Sequence, residues 1–425
     1  MYLLQILHGF FACYFVVKRF PRRYQLKNRS STLKIFILIL IVSLSTFSTD
    51  TYVPSLPHMV NDLNTTQALI QLTLSFYMIG FAISMLTCGC LSDRFGRRPI
   101  LLGGISLYII STFICIFASN VWILIIARFF QALGGCCGIV IGRTIVRDSF
   151  EKKDQIKVFT YISTGMAISP AIAPIIGGTL QSYWGWRSSF VFLFIVSTLV
   201  LILAYYKLEE TNKDLNPKAT NILNLFKNYK IMLTNKMYMG YTLTIAFAWC
   251  VFFSFISSSS FIFQDIIGVS PVVYGIIFGF VSFGYISGTV LARKMSNKIP
   301  LNNLISIATF LCLIGSSILF IFAILNYTSV AVILIPLIVI MIGIGIIFPL
   351  TQVGVIDIFP KMVGVATGLF FFIEIMTGVF AGYLSGAFKS QSQLPMASVM
   401  LASSILLVFT FYFLILKKKN DKEIN

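Results

Sequence analysis

Two apolar runs, Gln67–Cys88 and Pro99–Ala118, are joined by only ten residues, Gly89-Cys-Leu-Ser-Asp-Arg-Phe-Gly-Arg-Arg98. Each run is long enough to cross a bilayer core, which takes about 20 residues of helix. Backbone inside lipid must satisfy its own hydrogen bonds, so each run reads as a helix. A joint this short predicts a tight loop between antiparallel partners, and Arg94, Arg97 and Arg98 place that loop on the cytoplasmic side.

Composition extends this reading to the whole chain. Of 425 residues, 57% are apolar and 11% charged, with a mean hydropathy of +0.91, whereas a soluble domain carries about 25% charged residues. The net charge of +18 raises the question of nucleic acid. Of the 32 basic residues, Arg187 and Lys389 fall outside, Arg128 within the membrane and the remaining 29 inside. That is a positive-inside asymmetry, and no nucleic-acid partner is expected. The eight cysteines lie mostly within apolar runs, with no C-x-x-C, and read as small packing residues. His8 and His58 are the only histidines, so no metal site, cofactor or Ser-His-Asp set is expected.

Residues 1–32 form a basic extension in which Met1–Val17 is followed by Lys18, Arg19, Arg22, Arg23, Lys27 and Arg29. A signal peptide has the opposite order, so an interfacial helix is the preferred reading, beside a thirteenth span or an overlong start. Residues 33–206 hold six expected spans: Leu33–Tyr52, the pair flanking the arginine loop, Val121–Val146, Val158–Gln181 and Arg187–Tyr206. Pro54 and Pro57 are expected to stop the first helix. Gly134, Gly138 and Gly142 share one face of the fourth span, as do Gly165, Ser169, Ala173 and Gly177 in the fifth, so these two read as a close, bent pair. Residues 207–236 are a polar cytoplasmic linker, residues 237–416 hold six further spans, and residues 417–425 are a basic cytoplasmic tail. The expected fold is all-α and integral to the membrane, with twelve helices in two pseudo-symmetric six-helix halves. Gly288–Asn297 falls opposite Gly89–Arg98 in the repeat, with Arg293 matching Arg94 and Ala292 replacing Asp93.

The order Gly-x-Leu-Ser-Asp-Arg-x-Gly-Arg-Arg from Gly89 to Arg98 resembles the signature loop of the major facilitator superfamily. Three further stretches are similar to the bacterial bicyclomycin-resistance group of drug:proton antiporters: Thr49–Pro57, Arg128–Gly134 and Pro170–Gly178. The resemblance implies that Gly89, Asp93, Arg94, Gly96, Arg97, Arg98 and Asp148 form a cytoplasmic gate. It further implies that Arg128 is linked to proton coupling, and that Pro170, Pro174, Gly177 and Gly178 are the antiporter mark of the fifth span. The chain departs from the group at Glu374, where glutamine is expected, and at Ala132, where glycine is usual.

Three charges fall inside the hydrocarbon: Asp50, Arg128 and Glu374. Each costs at least ~2.5 kcal/mol near the bilayer centre, which favours lining a cavity over facing lipid. From a rise of ~1.5 Å per residue, Asp50 and Arg128 lie at comparable depth. They read either as a fixed neutralising pair or as a proton acceptor with an exchangeable partner. Glu374 reads either as a coupling acid or as a protonated acid bonded between helices. Asp93 is expected at the start of the eleventh helix, with Pro360 in its first turn, and Arg97 at Asp148.

No nucleotide-binding loop and no nucleophile–base set occurs, so neither ATP coupling nor an enzyme is expected. The expected function is a monomeric, proton-coupled exporter of hydrophobic or cationic small molecules. Its place is the bacterial inner membrane, with both termini cytoplasmic and protons, substrate and lipid as its partners. The alternative is a metabolite transporter or siderophore exporter of the same fold.

Overall fold

A computed structural model describes residues 29–212, 214–215, 217, 222–360, 362–387 and 392–416. The expectations for residues 1–28, for Lys389 and for the tail 417–425 fall outside the described residues. All regular elements among the described residues are helical, and twelve helices are long and apolar enough to cross a membrane. In order the spans are Leu33–Asp62, Gln67–Phe95, Arg97–Ile116, Val121–Ser149, Lys157–Trp184, Arg187–Lys207, Lys236–Ile266, Pro271–Met295, Leu301–Ile324, Val330–Ile358, Val363–Gly386 and Leu394–Leu416.

Helix packing reveals the repeat directly. In the first half, span 2 packs on 4, 3 on 4, 1 on 5 and 3 on 6; in the second, 8 packs on 10, 9 on 10, 7 on 11 and 9 on 12. Adding six to each number in the first set gives the second. The halves meet through span 5 on span 8 and span 2 on span 11, a pair of contacts that the same two-fold relation exchanges. The two halves are therefore the structural unit, even where their charges have diverged.

Three local expectations are corrected, and the linker gains a detail. The arginine loop is mostly helix: span 2 runs unbroken to Phe95 and span 3 starts at Arg97. Gly96 alone turns the chain, at φ +100°, a conformation that a side chain would strain. Pro54 and Pro57 do not end the helical course. The first helix ends at Asp50, and the prolines then sit at the starts of two short helical pieces, Val53–Ser55 and Leu56–Asp62, where a missing N–H costs nothing. The fourth span is broken at Cys136 into Val121–Gly135 and Cys137–Ser149. Part of the linker is helical as well, over Ile222–Thr234, and its Met232 is buried in the core.

The glycine faces also find other neighbours than expected. A Cβ at Gly134 would lie 2.4 Å from Gly104 O of span 3, and one at Gly138 2.7 Å from Ile41 O of span 1. In span 5, a Cβ at Gly177 would fall 1.8 Å from Thr51 O, and one at Gly178 2.2 Å from Pro271 O of span 8. Spans 4 and 5 are thus not each other's close partners. Small-residue spacing reports a close approach without naming the helix that approaches.

Candidate functional site

The basic end of the first half holds the expected gate residues. Arg97 Nε lies 3.3 Å from Asp148 Oδ2 on span 4, and Arg97 Nη1 donates to Ser92 Oγ at 2.7 Å. Asp93 pairs with Arg97 Nη1 at 2.5 Å, one helical turn away, and its side chain is 49% exposed. The eleventh helix begins at Val363 and leaves Pro360 outside its first turn, which corrects that part of the expectation for Asp93. Arg94 stacks on Phe95 at 5.0 Å, and Arg98 donates to Tyr205 O at 2.8 Å. Gly89 makes only ordinary contact with Val140.

The centre of this cluster is a residue that sequence reasoning missed. Glu210, just beyond span 6, accepts from the backbone N–H groups of Arg97 and Arg98 at 3.0 Å each, and from those of Thr211 and Asn212 at 2.8 and 2.7 Å. It therefore caps the start of span 3 from another part of the chain, where free amides and the helix dipole favour a carboxylate. Burial acts to raise the Glu210 carboxyl, but the four amide donors outweigh it and hold the group below its ordinary value. Asn212 Nδ2 reaches Ser92 O and Asp93 O at 3.3 and 3.2 Å, closing the other side of the joint. An acid directly after an apolar span was the available signal.

Deeper in the same half, Arg128 is fully buried. Its Nη1 donates to Gln131 Oε1 at 2.6 Å and Ser48 Oγ at 3.1 Å, and Gln131 Nε2 donates to Thr112 Oγ1 at 2.7 Å. The guanidinium carbon lies 4.0 Å from the Tyr77 ring centroid, 4.7 Å from Tyr52 and 5.8 Å from Phe190. A planar, weakly hydrated guanidinium suits such a cage of rings. The cage draws on spans 1, 2, 3, 4 and 6.

Asp50 does not join it. No ion pair forms between Asp50 and Arg128, which corrects the expectation of a neutralising pair. Depth was read correctly, but Ser48 and Tyr52 occupy the helix face that meets Arg128, and position 50 points about 200° away from both. Asp50 is 7% exposed and within electrostatic range of Tyr274 on span 8, whose hydroxyl meets Ser259 Oγ at 2.8 Å. Beside it, Gly177 packs on the carbonyl of Thr51.

The span-five motif forms the seam between the halves at this level. Pro174 has no N–H to give the carbonyl of Pro170, and Ser282 Oγ of span 8 lies 3.2 Å from that carbonyl. Gly275 of span 8 faces Pro174 O, at 2.4 Å from a Cβ placed there. Farther from the basic face, Gln71 Nε2 donates to Ser257 O at 2.8 Å and Gln264 Nε2 to Pro54 O at 2.9 Å, both across the halves. The halves are tied together on the side opposite Gly96. A half-open apolar groove between spans 1, 5 and 6, lined by Leu40, Ser43, Phe47, Gly165, Ile172 and Val196, is separate from these charges.

Glu374 lies in the second half, 2% exposed, within electrostatic range of Tyr285 and Cys250. Its Oε2 has no hydrogen-bond partner, so the reading of an acid bonded between helices is not met at that atom. Among the described residues, no group of His, Cys, Asp and Glu could hold a metal.

Known proteins give this arrangement its context. Multidrug resistance protein D of Escherichia coli (strain K12) is 26% identical over 384 residues, covering 90% of this chain and 96% of the relative. A bicyclomycin resistance protein homolog of Haemophilus influenzae is 25% identical over 398 residues, covering 91% and 98%. The crystal structure of a D-xylose-proton symporter superposes with a TM-score of 0.68 at 17% identity, covering 90% of this chain and 97% of that one. The family model described as Major Facilitator Superfamily matches residues 38–381, and with the two-fold helix packing above, the chain belongs to that superfamily of membrane transporters.

Proposed function

We propose that this chain is a proton-coupled exporter of hydrophobic or cationic small molecules, working as a monomer in a bacterial inner membrane with both termini cytoplasmic. The basic residues at the Gly96 face support that orientation. The observation that carries the reading is Asp50: an acid buried at the seam between the halves, with no cation among the described residues within ion-pair distance. A bare carboxylate there is compensated by no partner, so the seam closes around the neutral acid and opens to release or collect its proton.

In this account the seam of Pro170, Pro174, Gly177 and Gly178 is the outer closure. Gly89, Asp93, Arg94, Gly96, Arg97, Arg98 and Asp148, held by Glu210, form a rigid joint on the inner side. Arg128 keeps the first half's interior in register beside the acid. Each proton moving inward contributes about 2.3 kcal/mol per 100 mV to the export of substrate.

The test is efflux of a lipophilic dye from proteoliposomes with an imposed pH gradient. Asp50→Asn is expected to retain folding and downhill movement and to lose accumulation against a gradient. Undiminished gradient-driven efflux in that variant removes Asp50 as the coupling acid.

A further inference from the structure

The second half contains a buried acid in aromatic surroundings and no cation to answer it. Glu374 Oε2 is buried without a hydrogen-bond partner, and among the described residues no ion pair reaches the carboxylate. One turn along the same face, a Cβ at Gly378 would lie 2.3 Å from Trp249 Cδ1 and 2.6 Å from its Nε1, so that indole rests on the helix beside the acid. Trp249 Nε1 is itself buried and unpartnered. Phe252 meets the indole edge-on at 5.4 Å, and Phe253 stacks on it at 6.2 Å. On the other side, Tyr285 meets Phe348 at 6.1 Å, and Phe348 meets Phe371 at 6.4 Å. Trp249, Phe252, Tyr285 and Phe348 are only partly buried, so each ring of this wall keeps some surface for a further contact.

We propose that Glu374 and this wall form a binding subsite for lipophilic organic cations, at which a cation and a proton exclude each other. The inference rests on the exporter reading only for the direction in which the cation is carried. A compact ammonium or a metal ion would have to shed a strong hydration shell to enter. A delocalised cation sheds little, gains the ring faces and supplies the charge that the carboxylate lacks. A neutral ring compound gains stacking alone. The exchange balances as protonated Glu374 plus cation giving carboxylate–cation pair plus one proton released to water.

The groups that could mimic this titration are few. Cys250 on span 7 and Tyr285 on span 8 are the titratable neighbours in electrostatic range. Of the other helices packed against span 11, span 2 turns Tyr77 to Arg128 and carries Cys88, Cys90, Asp93 and Arg94 toward its basic end. Span 7 has Lys236, Tyr238 and Tyr241 near the basic face and Asp265 at the far end, and span 10 has Asp357 near Tyr241. The linker helix offers Lys227, Tyr229 and Lys230, and span 12 offers Tyr412 near its end.

The probe is tetraphenylphosphonium, titrated calorimetrically into the full-length protein in nanodiscs without any gradient. Two buffers of different ionisation enthalpy count the protons released, and triphenylphosphine oxide serves as the neutral control. Wild type is expected to release about one proton per cation at acidic pH, and Glu374→Gln to bind the cation at least about tenfold more weakly with no proton released. The neutral control is expected to be unchanged. Equal cation affinity in the two proteins, or parallel loss of cation and neutral compound, overturns the subsite. If Glu374→Gln fails to fold, the wild-type proton count decides, since binding without proton release from pH ~5 to ~8 also overturns it. Because no gradient is used, a failure of Asp50 as coupling acid leaves this result standing, and the reverse holds equally.

Discussion

Among the described residues, Arg128 and Glu374 are the two charged side chains most completely withdrawn from solvent, one in each half, and the fold answers them to different degrees. Arg128 donates from Nη1 to Gln131 and Ser48 and is enclosed by three ring faces, although its Nε and Nη2 have no hydrogen-bond partner. Glu374 has rings nearby but one oxygen with nothing to accept from. Burial of a charge is less costly when the fold supplies hydrogen bonds and ring faces to it. Where it does not, the cost is left for something that comes and goes. The difference separates a charge that holds a half together from one that waits for a partner.

The largest expected effect tests the first member of that contrast. Arg128→Ala should destabilise the folded protein by roughly 2–4 kcal/mol, because Gln131 and Ser48 lose a buried donor and the ring cage is left around a cavity. Thermal melts in detergent should show a large fall, and Arg128→Lys should not restore it, since an ammonium lacks the planar fork. A variant that melts like wild type would make Arg128 a free charge like Glu374 and erase the comparison.

A smaller effect, of opposite sign, is expected at the other member. Glu374→Gln removes an uncompensated acid without a change of shape, and the melting temperature should rise by an amount equivalent to ~1 kcal/mol or stay level. A fall of the size predicted for Arg128 would mean that the fold itself satisfies the carboxylate.

The smallest effect sharpens the contrast with a third acid, Glu210, which is satisfied by amides at the membrane surface. Its carboxyl sits below the ordinary value when folded, so its contribution is complete above the ordinary carboxylate range and is lost as pH falls through the lowered value. Glu210 is largely exposed, and solvent screening limits the effect to a few tenths of a kcal/mol. Wild type should therefore melt slightly above Glu210→Gln at neutral pH and converge with it as pH falls below the ordinary carboxylate range. A constant gap across that range would assign the stabilisation to the side chain's shape rather than its charge.

Much of this was legible in the sequence, because lipid leaves few choices. Twelve spans, their order and the depth of Asp50 and Arg128 all follow from run length and helical rise. Azimuth does not follow, since it depends on which neighbour each helix face meets, and Asp50 was misassigned for that reason alone. The glycines of spans 4 and 5 announced close approach but not its direction. Glu210 stood out only as an acid after an apolar span, and its partners could not be named because those amides lie 113 and 112 positions earlier in the chain. The break at Cys136 has no proline to announce it.

The seam at Pro170 bears on how fast such a machine can run. Where span 5 meets span 8, backbone lies on backbone, and the hydroxyl of Ser282 rests against a carbonyl that proline has already released from its helix. Parting these surfaces pulls no long side chain out of a socket. Water can take the place of the hydroxyl on that carbonyl, an exchange of one hydrogen bond for another. The joint resembles a bearing more than a clasp, and the expected barrier to rocking is low enough for the microsecond-to-millisecond range of domain motions. At this seam, then, motion between the halves meets little friction, and the ties that must break lie elsewhere, at Gln71 and Gln264.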